Sequence, residues 1–373
     1  MTQRHILISG ASIAGLTTAG WLRHHGFAVT VVERAAGVRP GGQAVDIRGV
    51  ALTVIERMGL VAAIREHATG FRGMTMVDGS GNELMSTDSA TFSGGEIDND
   101  DIEIFRDDLT TILNGSLAEQ VSFRFSDSIA TLSDTGRQVA VEFDSGHRAT
   151  FDAVIGADGL HSHTRRLAFG PESSFHHPLH AHLGIFSLPN YLNLDGWQLL
   201  QHLENTTALI YPTRNPDEAR AIIGFHDENL EYDYRDTASH PRLLADGFAG
   251  IGWEIPRLLE YARTADDFYF DSMAQIRMPH WTRGRIGLVG DAGYCGSPLT
   301  GQGSSLALVG GYVLAGELAA VDDPSIGLAN YEAAIREYVR LNQSLATDRN
   351  PDNSPKPELV ARAVDGIELA DYR

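Results

Sequence analysis

The chain has little cysteine and an excess of acidic over basic residues, and each shortage excludes a class of protein. Cys295 is the single cysteine among 373 residues, so no intrachain disulfide can form and a reducing compartment is expected. The 29 Lys and Arg side chains are outnumbered by 49 Asp and Glu side chains, for a formal net charge of −20. No general basic surface can offset phosphate repulsion, so a nucleic-acid partner is not expected.

Long hydrophobic runs are also scarce. Only residues 6–22 and 305–321 are apolar enough to suggest a membrane span, and both are rich in glycine and at the short limit for a span. We interpret them as buried helices. The first residues run directly into a strand pattern, which leaves no room for a signal peptide. We therefore expect a cytoplasmic protein without a membrane partner, long enough for two domains with a sizeable core.

A glycine-rich turn near the amino terminus is the first motif with chemical content. Residues 6–9 form an apolar strand pattern, followed by Gly10, Ser12, Ala14 and Gly15 and then a helical pattern. Residues 28–33 predict a second strand that closes with Glu33. This is the strand–turn–helix–strand pattern of dinucleotide binding, in which the acid holds a ribose. Serine replaces the middle glycine, and a turn in an unrelated α/β protein is the alternative.

A second loop of this kind lies nearly three hundred residues further on. Residues 286–289 predict a buried strand, and Asp291 follows at its carboxyl end. Pro298, Gly301, Gln302 and Gly303 then form a stiff, glycine-rich entry to a helix. The bare N–H groups of such a helix start suit an electron-rich or anionic group. Two separated loops indicate an extended cofactor and disfavour a plain NAD dehydrogenase.

These motifs resemble those of the FAD-dependent aromatic hydroxylases, the single-component flavoprotein monooxygenases that include p-hydroxybenzoate hydroxylase and the tetracycline-inactivating oxygenases. The similar segments are GASIAGL at residues 10–16, DAVIGADGLHS at 152–162 and GDAGYCGSPLTGQG at 290–303. The resemblance implies an α/β fold: a Rossmann-like FAD-binding domain, an inserted, mostly antiparallel β-sheet substrate domain, and C-terminal helices.

The resemblance also implies a set of cofactor-binding residues. Asp46 and Arg106 are expected near FAD, and Arg39 near NADPH or NADH. For Arg48, a contact with the cofactor and a solvated charge on the loop are both open. Arg106 could instead form a surface ion pair. Arg165 and Arg166 could attract nicotinamide-cofactor phosphates, or one of them is a helix-face charge. The full expected set is Gly10, Ser12, Ala14, Gly15, Glu33, Arg34, Arg39, Asp46, Arg106, Asp158, Asp291, Pro298, Gly301, Gln302 and Gly303.

Changes in sequence texture predict the domain organisation. We assign residues 1–70, 98–170 and 278–347 to the FAD-binding domain, residues 71–97 and 171–277 to the substrate domain, and residues 348–373 to a C-terminal linker and short helix. Hairpin patterns are expected at 121–141, helices at 241–262 and 328–346, and a helix beginning at Glu103. The aromatic residues of the substrate domain either line a substrate pocket or form its core.

The predicted activity follows from the resemblance. NADPH or NADH reduces FAD, O2 adds to it, and a flavin hydroperoxide hydroxylates an aromatic or polyketide-type small molecule. A flavin oxidoreductase without oxygen insertion and a non-catalytic FAD-binding protein are the alternatives. No catalytic residue can be assigned, and the oligomeric state is open between monomer and homodimer. His176, His177, His180 and His182 suggest a metal, but no acid lies at ligand spacing, so no metal is expected.

Overall fold

The fold was analysed in a computed structural model that describes residues 3–38, 41–92, 95–97, 99–117, 120–350 and 355–372. Its strands are β1 His5–Ser9, β2 Ala28–Glu33, β3 Ala44–Ile47, β4 Gly73–Val77, β5 Glu83–Thr87, β6 Ala90–Thr91, β7 Gly95–Glu96, β8 Ile102–Phe105, β9 Ser122–Phe125, β10 Ile129–Asp134, β11 Val139–Phe143, β12 Arg148–Phe151, β13 Ala153–Gly156, β14 His176–Pro189, β15 Trp197–His202, β16 Thr206–Pro212, β17 Glu218–His226, β18 Tyr269–Ile276, β19 Thr282–Arg283 and β20 Ile286–Leu288. Its helices are α1 Ile13–His24, α2 Val50–Arg57, α3 Val61–Glu66, α4 Arg106–Leu117, α5 His163–Phe169, α6 His240–Gly247, α7 Ile255–Ala262, α8 Asp291–Tyr294, α9 Gly303–Ala320, α10 Pro324–Ser344 and α11 Pro357–Val364.

A six-stranded sheet, here called the parallel sheet, has the order β19-β20-β13-β1-β2-β9. All its pairings are parallel except that of β19 with β20. β1, β13 and β20 are neighbours, so the loops that follow Ser9, Gly156 and Leu288 leave the same edge of the sheet. In open α/β sheets ligands bind at this carboxyl edge.

The apolar helix α9 packs inside the chain. It is long and apolar enough to cross a membrane, by length and composition only, yet 78% of that window is buried within the protein. Its glycines allow close approach, because a Cβ added at Gly311 would lie 3.0 Å from Thr18 Oγ1 of α1. A helix that is hydrophobic on all sides and covered by protein is a core helix.

A seven-stranded sheet, here called the mixed sheet, has the order β18-β14-β17-β16-β15-β4-β5. Its strands are antiparallel except for the β15–β4 pair. One face packs on α6 and α7 through an aromatic and aliphatic core that includes Phe186, Phe225 and Phe248. The other face packs Leu200, Leu209 and Tyr211 against Phe105 at the end of β8.

Two predicted helices differ from the observed elements. Residues 102–105 form a strand that pairs with β3, and the helix begins at Arg106. The helix predicted for 241–262 is two helices, because Gly250 adopts φ +81° between them and Pro256 lies in the first turn of the second. The α/β fold class is confirmed, whereas the division into domains stays a prediction.

Candidate functional site

The turn after β1 is shaped by close backbone contacts. Gly10 has φ +111°, and a Cβ added there would lie 2.4 Å from the carbonyl oxygen of Ala157. A Cβ at Gly15 would lie 1.9 Å from the carbonyl oxygen of Gly10. Only glycine fits either position, because the obstacles are backbone atoms. Ser12 is the N-cap residue of α1, but its hydroxyl accepts no hydrogen bond from the first turn of the helix.

The acid at the end of β2 lies against this turn. Glu33 accepts backbone hydrogen bonds of 2.9 Å from Ala11 and from Ala35. Its carboxylate is therefore fixed at the mouth of the glycine-rich turn, where the dinucleotide pattern places a ribose. Arg34 is exposed next to it, and Arg39 lies outside the described residues.

The loop after β13 contributes a second fixed carboxylate. Asp158 accepts hydrogen bonds from Ser162 Oγ and from the backbone N–H and Oγ1 of Thr164, the last two at 2.8 and 2.9 Å. The Cα of Asp158 would lie 3.1 Å from a Cβ at Gly10. The first and middle motifs therefore meet at the sheet edge.

The guanidinium of Arg165, just after this loop, is buried and already hydrogen-bonded within the protein. Its side chain has no exposed surface, and it donates to the carbonyl oxygens of Ala292 and Leu160 and to Glu172. A guanidinium that is buried and bonded in this way cannot bind a nicotinamide cofactor's phosphates. That hypothesis is wrong for Arg165; Arg166 is exposed and donates to His163.

The third motif lies beside the first. A Cβ at Gly290 would lie 2.9 Å from the Cβ of Ala14, which places Asp291 next to the start of α1. Asp291, Pro298, Gly301 and Gly303 are exposed at this edge. Because the first N–H groups of α9 have no acceptor within the helix, they are available for an electron-rich ligand.

The buried Gln302 at the start of α9 carries a side-chain amide whose oxygen and nitrogen both have no hydrogen-bond partner. Such groups are costly unless a ligand or water satisfies them. The loop is also strained, because the non-glycine Ser297 adopts φ +78°. Strained backbone of this kind clusters at functional sites.

The antiparallel ribbon of β3 and β8 bears charged side chains on one face. Asp46 and Glu103 are paired across the ribbon, and Arg48 donates to Asp46 at 2.9 Å. Burial raises the pKa of Asp46 to about 8, although Arg48 acts in the opposite direction. The Oδ1 atom of Asp46 is buried without a partner. Arg48 N–H donates to Ser305 at 3.4 Å, so the ribbon adjoins the start of α9.

Arg106 begins α4 beside the loop that enters the ribbon. It donates to the Gly41 carbonyl oxygen at 2.6 Å, and its backbone N–H donates to Gln43 at 3.0 Å. A Cβ at Gly42 would lie 2.3 Å from its Nε. Arg106 therefore supports this loop through a hydrogen bond to the Gly41 carbonyl oxygen.

Two buried polar residues on the mixed sheet were missed by sequence reasoning. Arg220 donates to the Gly42 carbonyl oxygen and to Asp107, and its buried Nε has no partner. Gln198 is fully buried and accepts from the backbone N–H of Phe92 at 2.9 Å. Strand alternation places both on the sheet face that carries Leu200 and Ile222, a position that only strand register reveals.

These residues fit FAD. The glycine cradle at Gly10, the carboxylates of Glu33 and Asp291 and the free helix start at Gly303 lie along one sheet edge. The unpartnered oxygen of Asp46 and amide of Gln302 mark where polar partners are missing. No group of three or more His, Cys, Asp or Glu side chains that could hold a metal ion occurs in the part of the chain that the structure describes.

The fold and site define a FAD-binding protein of the Rossmann type. The family model described as "FAD binding domain" matches residues 3–341, and the chain belongs to this family. An uncharacterized protein of Mycobacterium tuberculosis (strain ATCC 25618 / H37Rv) is 51% identical over 369 residues, which cover 98% of this chain and 99% of the relative. A flavin-dependent monooxygenase from an unknown prokaryotic organism is 40% identical over 386 residues, covering 99% of each chain.

A solved structure agrees with these relatives. The tetracycline destructase Tet(51) superposes with a TM-score of 0.90 at 35% identity, covering 99% of this chain and 100% of that chain. The expected resemblance is confirmed: the chain is a FAD-dependent monooxygenase of the aromatic-hydroxylase type.

Proposed function

We propose that this protein uses NADPH or NADH and O2 to hydroxylate a polycyclic phenol of the aromatic or polyketide type. The observation that carries this proposal is the full-length likeness to a tetracycline destructase at 35% identity. FAD, when bound, would supply the redox chemistry that takes two electrons from NADPH or NADH and activates O2, so that one oxygen atom enters the product and the other leaves as water. The protein's part is to bind, to orient and to exclude water.

The proposed cofactor contacts follow from the site. Glu33 accepts from the ribose of the adenosine, and the glycine turn at Gly10 admits the pyrophosphate. Asp291 accepts from the ribityl hydroxyls. The first N–H groups of α9, from Gly303 onward, would stabilise negative charge on the flavin ring. Asp46 offers its unpartnered oxygen to a donor on the cofactor.

Arg220 is the proposed anchor for the substrate. Its guanidinium is buried at 6% exposure, stacks 4.9 Å from the centre of the Phe105 ring, and retains an unpartnered Nε. A buried cation with a free donor favours an ionised phenol or enol oxygen. Phe105 belongs to an apolar cluster with Phe71, Leu200 and Tyr211, and these side chains suit a flat ring system.

The experiment follows NADPH and NADH oxidation, O2 uptake and peroxide release by the FAD-loaded protein, with a panel of phenols and tetracyclines. We expect one compound to accelerate oxidation, to suppress peroxide release and to gain one oxygen atom by mass spectrometry. Arg220→Gln should raise the KM for that compound. The rate of flavin reduction in the absence of substrate should change by a smaller factor.

Two outcomes would contradict the proposal. Oxidation of a compound without gain of oxygen would establish a flavin oxidoreductase. A flavin that neither NADPH nor NADH reduces with any compound of the panel would favour a FAD-binding protein without this activity.

A further inference from the structure

A second cluster of charges lies where the loop after β13 meets the mixed sheet. His161 Nδ1 is 2.8 Å from Glu172 Oε1, and His161 Nε2 is 3.0 Å from Asp271 Oδ2. Because two carboxylates can only accept, both ring nitrogens must donate, and the ring is an imidazolium. The Tyr234 ring stacks on it at 3.5 Å with an interplanar angle of 2°, which covers one face of the cation.

At one end of this cluster, Asp271 belongs to β18 of the mixed sheet. Its side chain is only 7% exposed. It also accepts from Tyr232 at 2.9 Å, from Tyr269 at 2.8 Å and from the backbone N–H of Ser272 at 2.8 Å. Burial alone would raise the pKa of Asp271, but the bonds from His161 and the two tyrosines lower it. The carboxylate is therefore a fixed negative charge on the sheet.

At the other end, Glu172 leads back to the cofactor loops. Its second oxygen accepts from Arg165 at 2.8 Å. Arg165 in turn donates to the carbonyl oxygen of Ala292, the residue after Asp291, and to that of Leu160, two residues after Asp158. A continuous path of charge-assisted bonds thus joins Asp271 on the mixed sheet to the backbone beside both cofactor-site carboxylates.

We propose that His161 is a positioning residue that couples the mixed sheet to the two loops that hold FAD. Removing its charge breaks the path at its centre and leaves two carboxylates facing each other. The loops after β13 and β20 then lose their fixed relation to the sheet, and FAD binds less tightly. The inference rests on FAD binding by this family and is independent of the proposed substrate.

The groups around His161 determine its ionisation. The charged and titratable groups around His161 come from three parts of the chain. They are Asp271 and Tyr269 on β18, Tyr232 and Tyr234 in the segment after β17, and Arg165, Glu172 and His176 in the stretch from α5 to β14. Burial lowers the pKa of His161, but the bonds to Asp271 and Glu172 outweigh it and raise the pKa to about 9. The link is therefore intact at neutral pH and is lost as the pH rises through that value.

The experiment is a double-mutant cycle read out by the Kd of FAD and by the visible circular dichroism of the bound flavin. We expect His161→Gln to weaken FAD binding about tenfold and Asp271→Asn about fivefold. In the His161→Gln background, Asp271→Asn should add less than twofold, because the path is already broken. His177→Gln, at an exposed histidine of β14, serves as the matched control and should change neither signal.

Equal effects of Asp271→Asn in both backgrounds would overturn the coupling, and so would an unchanged FAD Kd in a folded His161→Gln variant. If His161→Gln does not fold, the unsubstituted protein and Asp271→Asn are compared from pH 7.5 to 9.5. FAD affinity should decline at a lower pH in Asp271→Asn, since His161 loses a partner that holds its proton, and coincident profiles refute the proposal. Because FAD affinity is measured without any substrate, this test can be interpreted even if the protein oxygenates none of the compounds tested.

Discussion

Asp46 is a buried carboxyl group, and one of its oxygens has no hydrogen-bond partner. Its raised pKa of about 8 means that the folded chain without FAD holds a proton that the unfolded chain releases near pH 4. Its contribution to stability is therefore full below pH 4 and is lost as the pH rises toward 8.

We expect Asp46→Asn to raise the free energy of unfolding of the FAD-free protein at pH 8 by about 1 kcal/mol or more. The same variant should bind FAD more weakly, because an amide cannot ionise to present both oxygens as acceptors, one to Arg48 and one to a donor on the cofactor. Urea unfolding at pH 5 and pH 8, with FAD titration, checks both. A stability difference that does not grow between the two pH values would refute the assignment.

Gly10 is a residue at which both a positive φ and a close backbone neighbour constrain the cofactor turn. Gly10→Ala places a Cβ against the Ala157 carbonyl group at φ +111°. We expect a loss of about 1–3 kcal/mol in unfolding free energy and weaker FAD binding. Gly115→Ala is the control, since nothing lies within 4 Å of a Cβ there and the residue is helical. It should be neutral or slightly stabilising.

Among the secondary-structure elements, β14 carries a histidine in an aromatic core. The His182 ring is 3% exposed, and neither of its nitrogens has a hydrogen-bond partner. It lies 5.2 Å from the Phe225 ring and 6.2 Å from the Phe270 ring, measured between centroids. Burial lowers its pKa below 6.5, so the neutral form is favoured in the folded state. The stability it contributes is present above pH 6.5 and is lost as the pH falls below that value.

His182→Phe should therefore make the mixed sheet less sensitive to acid. We expect the unfolding free energy to fall less between pH 7 and pH 5 in the variant than in the unsubstituted chain. Thermal or urea unfolding at the two pH values measures the difference. Parallel pH profiles for the two proteins would show that His182 is not the titrating group, and His177→Gln should leave the profile unchanged.

For the whole molecule, FAD binding and stability are linked. A ligand at a free concentration of 100 times its Kd stabilises the folded state by about 2.7 kcal/mol. Because α1, α9 and the three loops at the sheet edge would all contact FAD, its binding should raise the unfolding temperature of the entire chain.

Asp291→Ala should remove most of this FAD-dependent rise in unfolding temperature. Asp144→Ala, an exposed aspartate in the turn between β11 and β12, should preserve it. Differential scanning fluorimetry with and without added FAD distinguishes them. An Asp291→Ala variant that retains both the FAD-dependent rise and a yellow colour would show that Asp291 does not hold the cofactor.

Local motifs allowed the glycine-rich turns and the acidic residues beside them to be placed at one sheet edge, whereas their contacts with FAD stay a prediction. Gly10, Glu33 and Asp291 are recognisable because each follows an apolar strand, so backbone conformation and position at the sheet edge depend on nearby sequence. Secondary structure was predicted less well where tertiary pairing decided it. Residues 102–105 became a strand because β3 lies beside them.

The amino-acid sequence by itself determined the family, the glycine-rich loops and the α/β class, since these depend on short segments with their own conformational preferences. Only the tertiary structure decided which distant side chains meet. Arg220 reaches the Gly42 carbonyl oxygen 178 positions away, and His161 reaches Asp271 across 110 positions. Neither pairing leaves a local pattern, because the register and packing of two sheets, not neighbouring residues, bring those charges together.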